Sequence, residues 1–197
     1  MGEFWAIILA AGESRRMGFP KMLLTFKDRT MIENVIANVT ESKVDKIIVV
    51  LGADRDAIVE RIGKLGVKYC YNENYKEGML SSVRCGFRNI PSDYNAVLVF
   101  QGDQPLITPD AINTVIEAHL SYGKGIVIPV YKKRRGHPLL IDIKYRDEIE
   151  KLSPDKGLRS LANKFSDDVQ EIDIDEPGIL RDFDTLDEYD KGINQIQ

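Results

Sequence analysis

The stretch LAAGESRRMGFPK, Leu9 to Lys21, decides how the rest of the chain is read. It follows a run of large apolar residues, Phe4 to Leu9, that reads as a buried first strand, so Ala10, Ala11 and Gly12 fall where that strand must turn into a loop. Ala10 and Ala11 keep bulky side chains away. Gly12 and Gly18 permit backbone angles at which successive N–H groups point into one hollow, a nest for anionic oxygens. Arg15, Arg16 and Lys21 add three positive charges within seven residues. The phosphates of a nucleoside triphosphate are the ligand that such a loop best explains. It is not a Walker loop, because five residues separate the glycines and Phe19-Pro20 precedes the lysine. Nor is it the dinucleotide fingerprint, because Gly12-Glu13-Ser14 lacks the second glycine.

Around this loop, 197 residues suffice for one good core, and a single domain over residues 1–197 is expected. With 43% apolar and 29% charged residues the composition is that of a globular protein, and no segment is long enough to cross a membrane. The first residues run directly into a strand with no cleavable leader, so a cytoplasmic location is expected. A net charge of −4 argues against general affinity for nucleic acid, which rests on surplus Lys and Arg. Cys70 and Cys85 make neither a disulfide framework nor a zinc site and read as small buried apolar groups.

The alternation of patterns points to an α/β fold. Thr30 with Glu33 three residues on is a capping box for a helix whose apolar stripe is Met31, Val35, Ile36 and Val39. Strands follow at Lys46–Leu51, Val67–Tyr71 and Ala96–Gln101, with a helix from Asp54 or Asp56 to Gly63 and another starting near Ser81. Right-handed crossovers then give a three-layer, mostly parallel sheet of strand order 3-2-1-4, with further strands at 126–131, 138–143 and 169–174. In that order the chain reverses between strands one and four, where ligands bind beyond the carboxyl ends. Asp103, in Gly102-Asp103-Gln104-Pro105, then faces the glycine loop. Mg²⁺ bridging Asp103 to the phosphates is the natural inference, against Asp103 as a turn residue or helix cap.

The first loop resembles the L-A-A-G-x-S-x-R-M-G-x-x-K signature of the MobA-like nucleotidyltransferases, in particular the molybdenum cofactor cytidylyltransferases. The resemblance implies a Rossmann-like fold of the nucleotide-diphospho-sugar transferase type. It implies nucleotide contacts at Leu9, Ala10, Ala11, Gly12, Arg15 and Gly18. Gly78-Met79-Leu80-Ser81-Ser82 resembles the family's G-M-x-x-S stretch, which implies base or ribose contact at Gly78 and Ser82 against a purely structural helix start. Arg135-Gly136-His137-Pro138 resembles the family's acceptor-side segment, so Arg135, Gly136 and His137 are implied acceptor-binding residues; the competing reading of Lys132 to Arg135 is a solvated hairpin tip. The segment Ser153 to Arg159, with Pro154 where the family has glycine, opens a helix running to about Phe165. D-F-D-T-x-x-D at Asp182 to Asp187 resembles the family's acidic segment near the metal, so Asp182 or Asp184 joins Asp103 as a metal ligand, unless Asp184 caps the last helix.

The resemblance implies a Mg²⁺-dependent transfer of CMP from CTP to the terminal phosphate of a molybdopterin cofactor, of molybdenum or tungsten. Lys21, Arg16 and Asp103 are then its catalytic residues, Lys21 nearest the α-phosphate. Ala11 favours cytosine in this resemblance, because guanylyltransferases of the group carry glycine there. The alternatives are GTP as donor, another small phosphate as acceptor, or a non-catalytic cofactor-delivery protein. Transient contact with a recipient molybdoenzyme or its chaperone is also implied.

Overall fold

The structure, a computed structural model, describes residues 3–194. β1 (Glu3–Ala10) leads through the glycine loop to a small hairpin of β2 (Thr25–Phe26) and β3 (Arg29–Thr30), then to α1 (Met31–Thr40). β4 (Lys46–Leu51), α2 (Arg55–Ile62), β5 (Lys68–Tyr71), α3 (Met79–Arg88), β6 (Tyr94–Gln101) and α4 (Pro109–Tyr122) continue the alternation. The second half comprises β7 (Ile126–Tyr131), β8 (Arg134–Arg135), β9 (Leu139–Asp142), α5 (Arg146–Lys151), α6 (Arg159–Lys164), β10 (Val169–Asp173) and α7 (Leu186–Asn194).

Among the described residues the main sheet has the order β10-β7-β9-β6-β1-β4-β5, with β8 attached to β7. The expected order 3-2-1-4 is therefore present as β5-β4-β1-β6, all parallel. β9 runs antiparallel to both β6 and β7, so β7 and β10 again point the same way as β1. The carboxyl ends of β1, β4, β6 and β7 thus share one edge, and the functional loops leave from it.

β1 is buried from Phe4 to Ala10, because both faces of the sheet are covered. Ala6, Ile8 and Ala10 pack with Val35, Ile36, Ile112 and Ile116 on one side. Trp5, Ile7 and Leu9 pack with Val83, Phe87 and Ile149 on the other. At about 25 cal/mol per Å² of apolar surface removed from water, these two layers dominate the stabilisation and fix the register of β1. The capping box of α1 forms as its residues demand: Thr30 Oγ1 accepts from the Glu33 N–H, and Glu33 Oε2 accepts from the Thr30 N–H at 2.8 Å.

Several boundaries differ from the reading by pattern. The helix expected near Ser81 starts at Met79, directly after Gly78, whose φ of 97° suits glycine alone. The helix expected from Ser153 starts only at Arg159, because Ser153–Gly157 forms a turn in which the Gly157 N–H donates to the Ser153 carbonyl. β2, β3, β8 and α5 were not foreseen; elements of two to six residues carry too few repeats for a period to show. No helix of the described residues is long and apolar enough to cross a membrane.

Candidate active site

Three loops meet at the carboxyl edge of β1 because two glycines let them. Gly102, just past β6, donates its N–H to the Leu9 carbonyl at 2.9 Å; a Cβ there would lie 2.9 Å from Met22 Sδ. Gly52, just past β4, approaches from the other side, and a Cβ there would lie 2.7 Å from the Ala11 carbonyl oxygen. The end of β1 is therefore clasped between the ends of its neighbours. Within the loop, Ser14 Oγ accepts from the Lys21 N–H at 3.0 Å, and Met22 is buried in the core behind it. These contacts aim the Lys21 side chain back across the sheet edge.

Lys21 arrives between two carboxylates. Its ammonium donates to Asp103 and, at 2.9 Å, to Asp184 Oδ1. Arg16 donates to the second oxygen, Asp184 Oδ2, at 2.5 Å. The Lys21 and Asp103 side chains are only 14% and 5% exposed, so the pair is largely withdrawn from water. Burial alone would lower the Lys21 pKa, but Asp103 and then Asp184 outweigh it and hold the ammonium above its ordinary value. Burial alone would raise the Asp184 carboxyl, yet Lys21 and Arg16 bring it below the ordinary range. Asp182 behaves oppositely: partial desolvation first, then the charges of Asp103 and Asp184, push its carboxyl up.

Phe183 explains why Asp184 faces Lys21. It is fully buried against Phe26, ring centroids 5.4 Å apart, and the next residue, Asp184, is thereby turned to the Lys21 ammonium, whereas Asp182 on its other side is exposed. The cap of α7 is not Asp184: Thr185 Oγ1 accepts from the Glu188 N–H at 3.3 Å, and Glu188 Oε2 accepts in return from the Asp184 and Thr185 N–H groups, each at 3.0 Å. Asp184 is left for the cations.

Beside this cluster lies a cavity of about 250 Å³. Leu9, Ala11 and Gly12 from the loop, Gly78 and Ser82 from the start of α3, and Lys21 and Asp103 at its charged end all line it. It also exposes Tyr75, Met79 and Gln101, which sequence reasoning did not single out as contacts. Tyr75 and Met79 sit within the stretch that carries Gly78, and that proximity was the available signal. Asn72 was missed as well: buried, it donates to Ser81 Oγ at 2.8 Å and Ser82 Oγ at 2.9 Å, and so ties the end of β5 to the first turn of α3.

Other expected residues lie elsewhere. Ala10 is fully buried in the core on the α1 side. Arg15 is 77% exposed and pairs with Glu13 at 2.6 Å. The N–H groups of Met17 and Gly18 are engaged by the Ser14 carbonyl, so the anion nest expected of this loop does not include them. Lys132 and Lys133 form the two-residue tip between β7 and β8, with φ of 48° and 65°. Arg135 turns away from the cavity and donates through Nε to Glu171 on β10 at 2.6 Å. The Gly136 N–H donates to Pro129, and the His137 N–H to Ile179. His137 Nε2 stands 2.8 Å from the Gln101 amide nitrogen, and Gln101 itself lines the cavity. Burial pushes the His137 pKa below its ordinary value, which keeps the ring neutral at pH 7.

Among the described residues no group of three or more His, Cys, Asp or Glu side chains is placed to hold a metal ion. Asp103 and Asp184 nevertheless converge on one cation, the Lys21 ammonium. Two carboxylates that meet at one cationic point are oxygen donors of the kind that hold a divalent cation together with phosphate oxygens and water.

Residues 6–169 match the MobA-like NTP transferase domain. The chain belongs to that family. This MobA-like transferase is 25% identical over 190 residues to the molybdenum cofactor cytidylyltransferase of Escherichia coli (strain K12), across 96% of this chain and 95% of that protein. It is 28% identical to the probable molybdenum cofactor guanylyltransferase of Methanosarcina mazei, across 91% and 80%. It is also 28% identical to the nicotine blue oxidoreductase of Paenarthrobacter nicotinovorans, across 92% of each. A match to the bifunctional protein GlmU of Caldanaerobacter subterraneus, at 32% identity, spans only 28% of that protein. Among solved structures, Rv0371c of Mycobacterium tuberculosis H37Rv superposes with a TM-score of 0.87 at 24% identity over 98% of both chains. The same protein in complex with manganese gives 0.83 at 23% identity, again over 98% of both. The MobA-like transferase thus has the nucleotidyltransferase architecture expected from its first loop.

Proposed function

We propose that this protein transfers CMP from CTP to the terminal phosphate of a molybdopterin cofactor and releases pyrophosphate. The observation that carries this reading is the meeting of Lys21, Asp103 and Asp184 at the charged end of the cavity lined by Gly12, Gly78 and Ser82. The nucleoside lies in the cavity, with Tyr75 and Met79 as its apolar walls, and the triphosphate lies toward Lys21. Mg²⁺ fits Asp103 and Asp184, and Asp182 stands ready to join them; manganese in the complex of Rv0371c is consistent with a divalent ion in such a fold. When bound, that ion supplies positive charge to the phosphates. An acceptor phosphate oxygen attacks the α-phosphorus; its P–O bond forms as the bond to the bridging oxygen breaks, and the electron pair leaves with pyrophosphate.

The protein's own residues position this displacement. Lys21 and Arg16 offset the charge that accumulates on the phosphorus oxygens; Lys21 acts from a position largely shielded from water, where such charge is worth more, and Arg16 from the exposed rim. Gln101 and the neutral His137 border the side from which an acceptor enters. The basic tip at Lys132 and Lys133 leaves the same edge of the sheet and attracts an anionic acceptor at a distance.

The cytidylyltransferase relative, matched over 95% of its own length, and the methyl of Ala11 on the cavity wall support CTP. GTP is the second reading, favoured by the guanylyltransferase relative. The deciding experiment measures pyrophosphate release with CTP, GTP, ATP and UTP, each with the molybdopterin cofactor and Mg²⁺, alongside oxidation of NADH and NADPH. Release with CTP alone is the expected result. Release with GTP instead transfers the reading to guanylyl transfer, and dinucleotide oxidation without pyrophosphate would replace it with an oxidoreductase.

A further inference from the structure

Cys70 and Cys85 take no part in the chemistry above, yet their surroundings are specific. Cys70 is on β5 and buried; Cys85 is on α3 and half-buried; both are free thiols, with Sγ atoms 3.6 Å apart. A surface groove of about 390 Å³ reaches Cys85 between Arg84, Arg88 and Asn89, and Cys70 lies behind it. The contact with Cys70, and beyond it Arg88, lower the Cys85 thiol to about 7 against the effect of burial. The same contact and its burial raise Cys70. One thiol is therefore reached from the surface, where it also donates to the Tyr71 carbonyl at 3.4 Å, and the other lies in contact behind it.

The segment between them, residues 70–85, carries Tyr75, Gly78, Met79 and Ser82, all on the wall of the cavity. Asn72, two residues beyond Cys70, holds Ser81 and Ser82. A bond between the two sulfurs would close this segment into a loop at its base.

We propose that Cys70 and Cys85 form a reversible disulfide that clamps this wall of the cavity. With hydrogen peroxide as oxidant, the Cys85 thiolate attacks one peroxide oxygen, the O–O bond breaks, and hydroxide leaves a sulfenic acid on Cys85. The Cys70 sulfur then attacks the Cys85 sulfur; the S–S bond forms, the S–O bond breaks, and the Cys70 proton departs with that oxygen as water. Two thiols and one peroxide thus give one disulfide and two waters, and dithiothreitol reverses the step by exchange. The closed loop has less freedom to lose when a ligand enters, so the oxidised protein binds nucleotide more tightly. Formation of the disulfide is independent of the proposed function; only the affinity change rests on it.

The test treats the full chain with hydrogen peroxide and maps tryptic peptides without reduction. The expected product joins the peptide Tyr69–Lys76 to Cys85–Arg88, two hydrogens lighter than their sum, and dithiothreitol separates them. The oxidised protein is expected to melt at a higher temperature and to bind CTP about threefold more tightly or better. Cys85→Ser, at the half-buried position, abolishes both changes; Cys70→Ala provides the same control at the other thiol. Oxidation of Cys85 to sulfinic acid with no joined peptide overturns the disulfide. A joined peptide with unchanged melting and CTP affinity overturns the clamp. A joined peptide and raised melting temperature, with CTP bound by neither form, leave the disulfide standing and overturn the proposed nucleotide instead.

Discussion

Lys21 from the loop after β1 and Asp103 from the loop after β6 are ion-paired across the carboxyl edge of the sheet, with side chains 14% and 5% exposed. A lysine in a loop is ordinarily exposed and adds little packing; the pairing instead withdraws Lys21 from water. Breaking a pair this buried by removing one partner leaves an uncompensated charge, at a cost of about 3 to 5 kcal/mol. Lys21→Met is accordingly expected to lose both turnover and melting temperature in EDTA. With millimolar Mg²⁺ most of the lost melting temperature is expected to return, because the ion takes the place of the ammonium between Asp103 and Asp184. Mg²⁺ that stabilises the variant no more than the parent protein would show that these carboxylates do not bind it.

Ala11 lines the cavity with one methyl group. Removing it in Ala11→Gly relieves a packing conflict worth at most about 1 to 3 kcal/mol for a larger base. The variant is expected to improve its GTP to CTP ratio in kcat/KM by roughly tenfold. An unchanged ratio would place base selection elsewhere on the wall, with Tyr75 and Met79 the next positions to vary.

Gly52 is open to a sharper test, because its missing Cβ would meet the Ala11 carbonyl oxygen at 2.7 Å and Tyr75 Cβ at 2.8 Å. Gly52→Ala must shift the glycine loop or Tyr75, and overpacking of this kind costs about 1 to 3 kcal/mol. Calorimetric melting is expected to fall, and nucleotide affinity to fall with it. A variant with normal affinity would mean that the loop can yield without disturbing the cavity.

Asp168 predicts the acid limb of stability. Tyr145 Oη donates to it at 2.5 Å and Lys144 pairs with it at 2.7 Å. Burial alone would raise this carboxyl, but Lys144 and Tyr145 outweigh it, and its folded pKa lies below the ordinary value. A lowered folded pKa stabilises the protein at pH above the unfolded value, near 4, and that stabilisation fades as pH falls through the folded value. Asp168→Asn is expected to cost about 1 to 3 kcal/mol at pH 7 and to converge with the parent protein in strong acid. Urea unfolding at pH 7 and again below pH 3 checks the sign.

Thr30→Ala removes the side-chain acceptor of the α1 capping box and is expected to cost about 1 kcal/mol, a fall of a few degrees in melting temperature. Turnover measured well below that melting temperature is expected to stay normal, which separates scaffold from site.

The sequence alone determined the features whose causes are local. The apolar run of β1, the Thr30–Glu33 box and the small residues of the glycine loop specify their own conformations within a few positions, and the parallel order β5-β4-β1-β6 follows from handedness once the strands are recognised. Tertiary structure decided what those elements meet. Asp184 reaches Lys21 from 163 residues away, because Phe183 is buried in a pocket made by Phe26 and Met31. Arg135, alike in sequence to its basic neighbours, is drawn to Glu171 because β10 pairs with β7. Cys70 and Cys85 touch because α3 lies across β4 and β5. Contacts of this kind depend on the sum of many packing choices, and no period, cap or short motif along the chain encodes them.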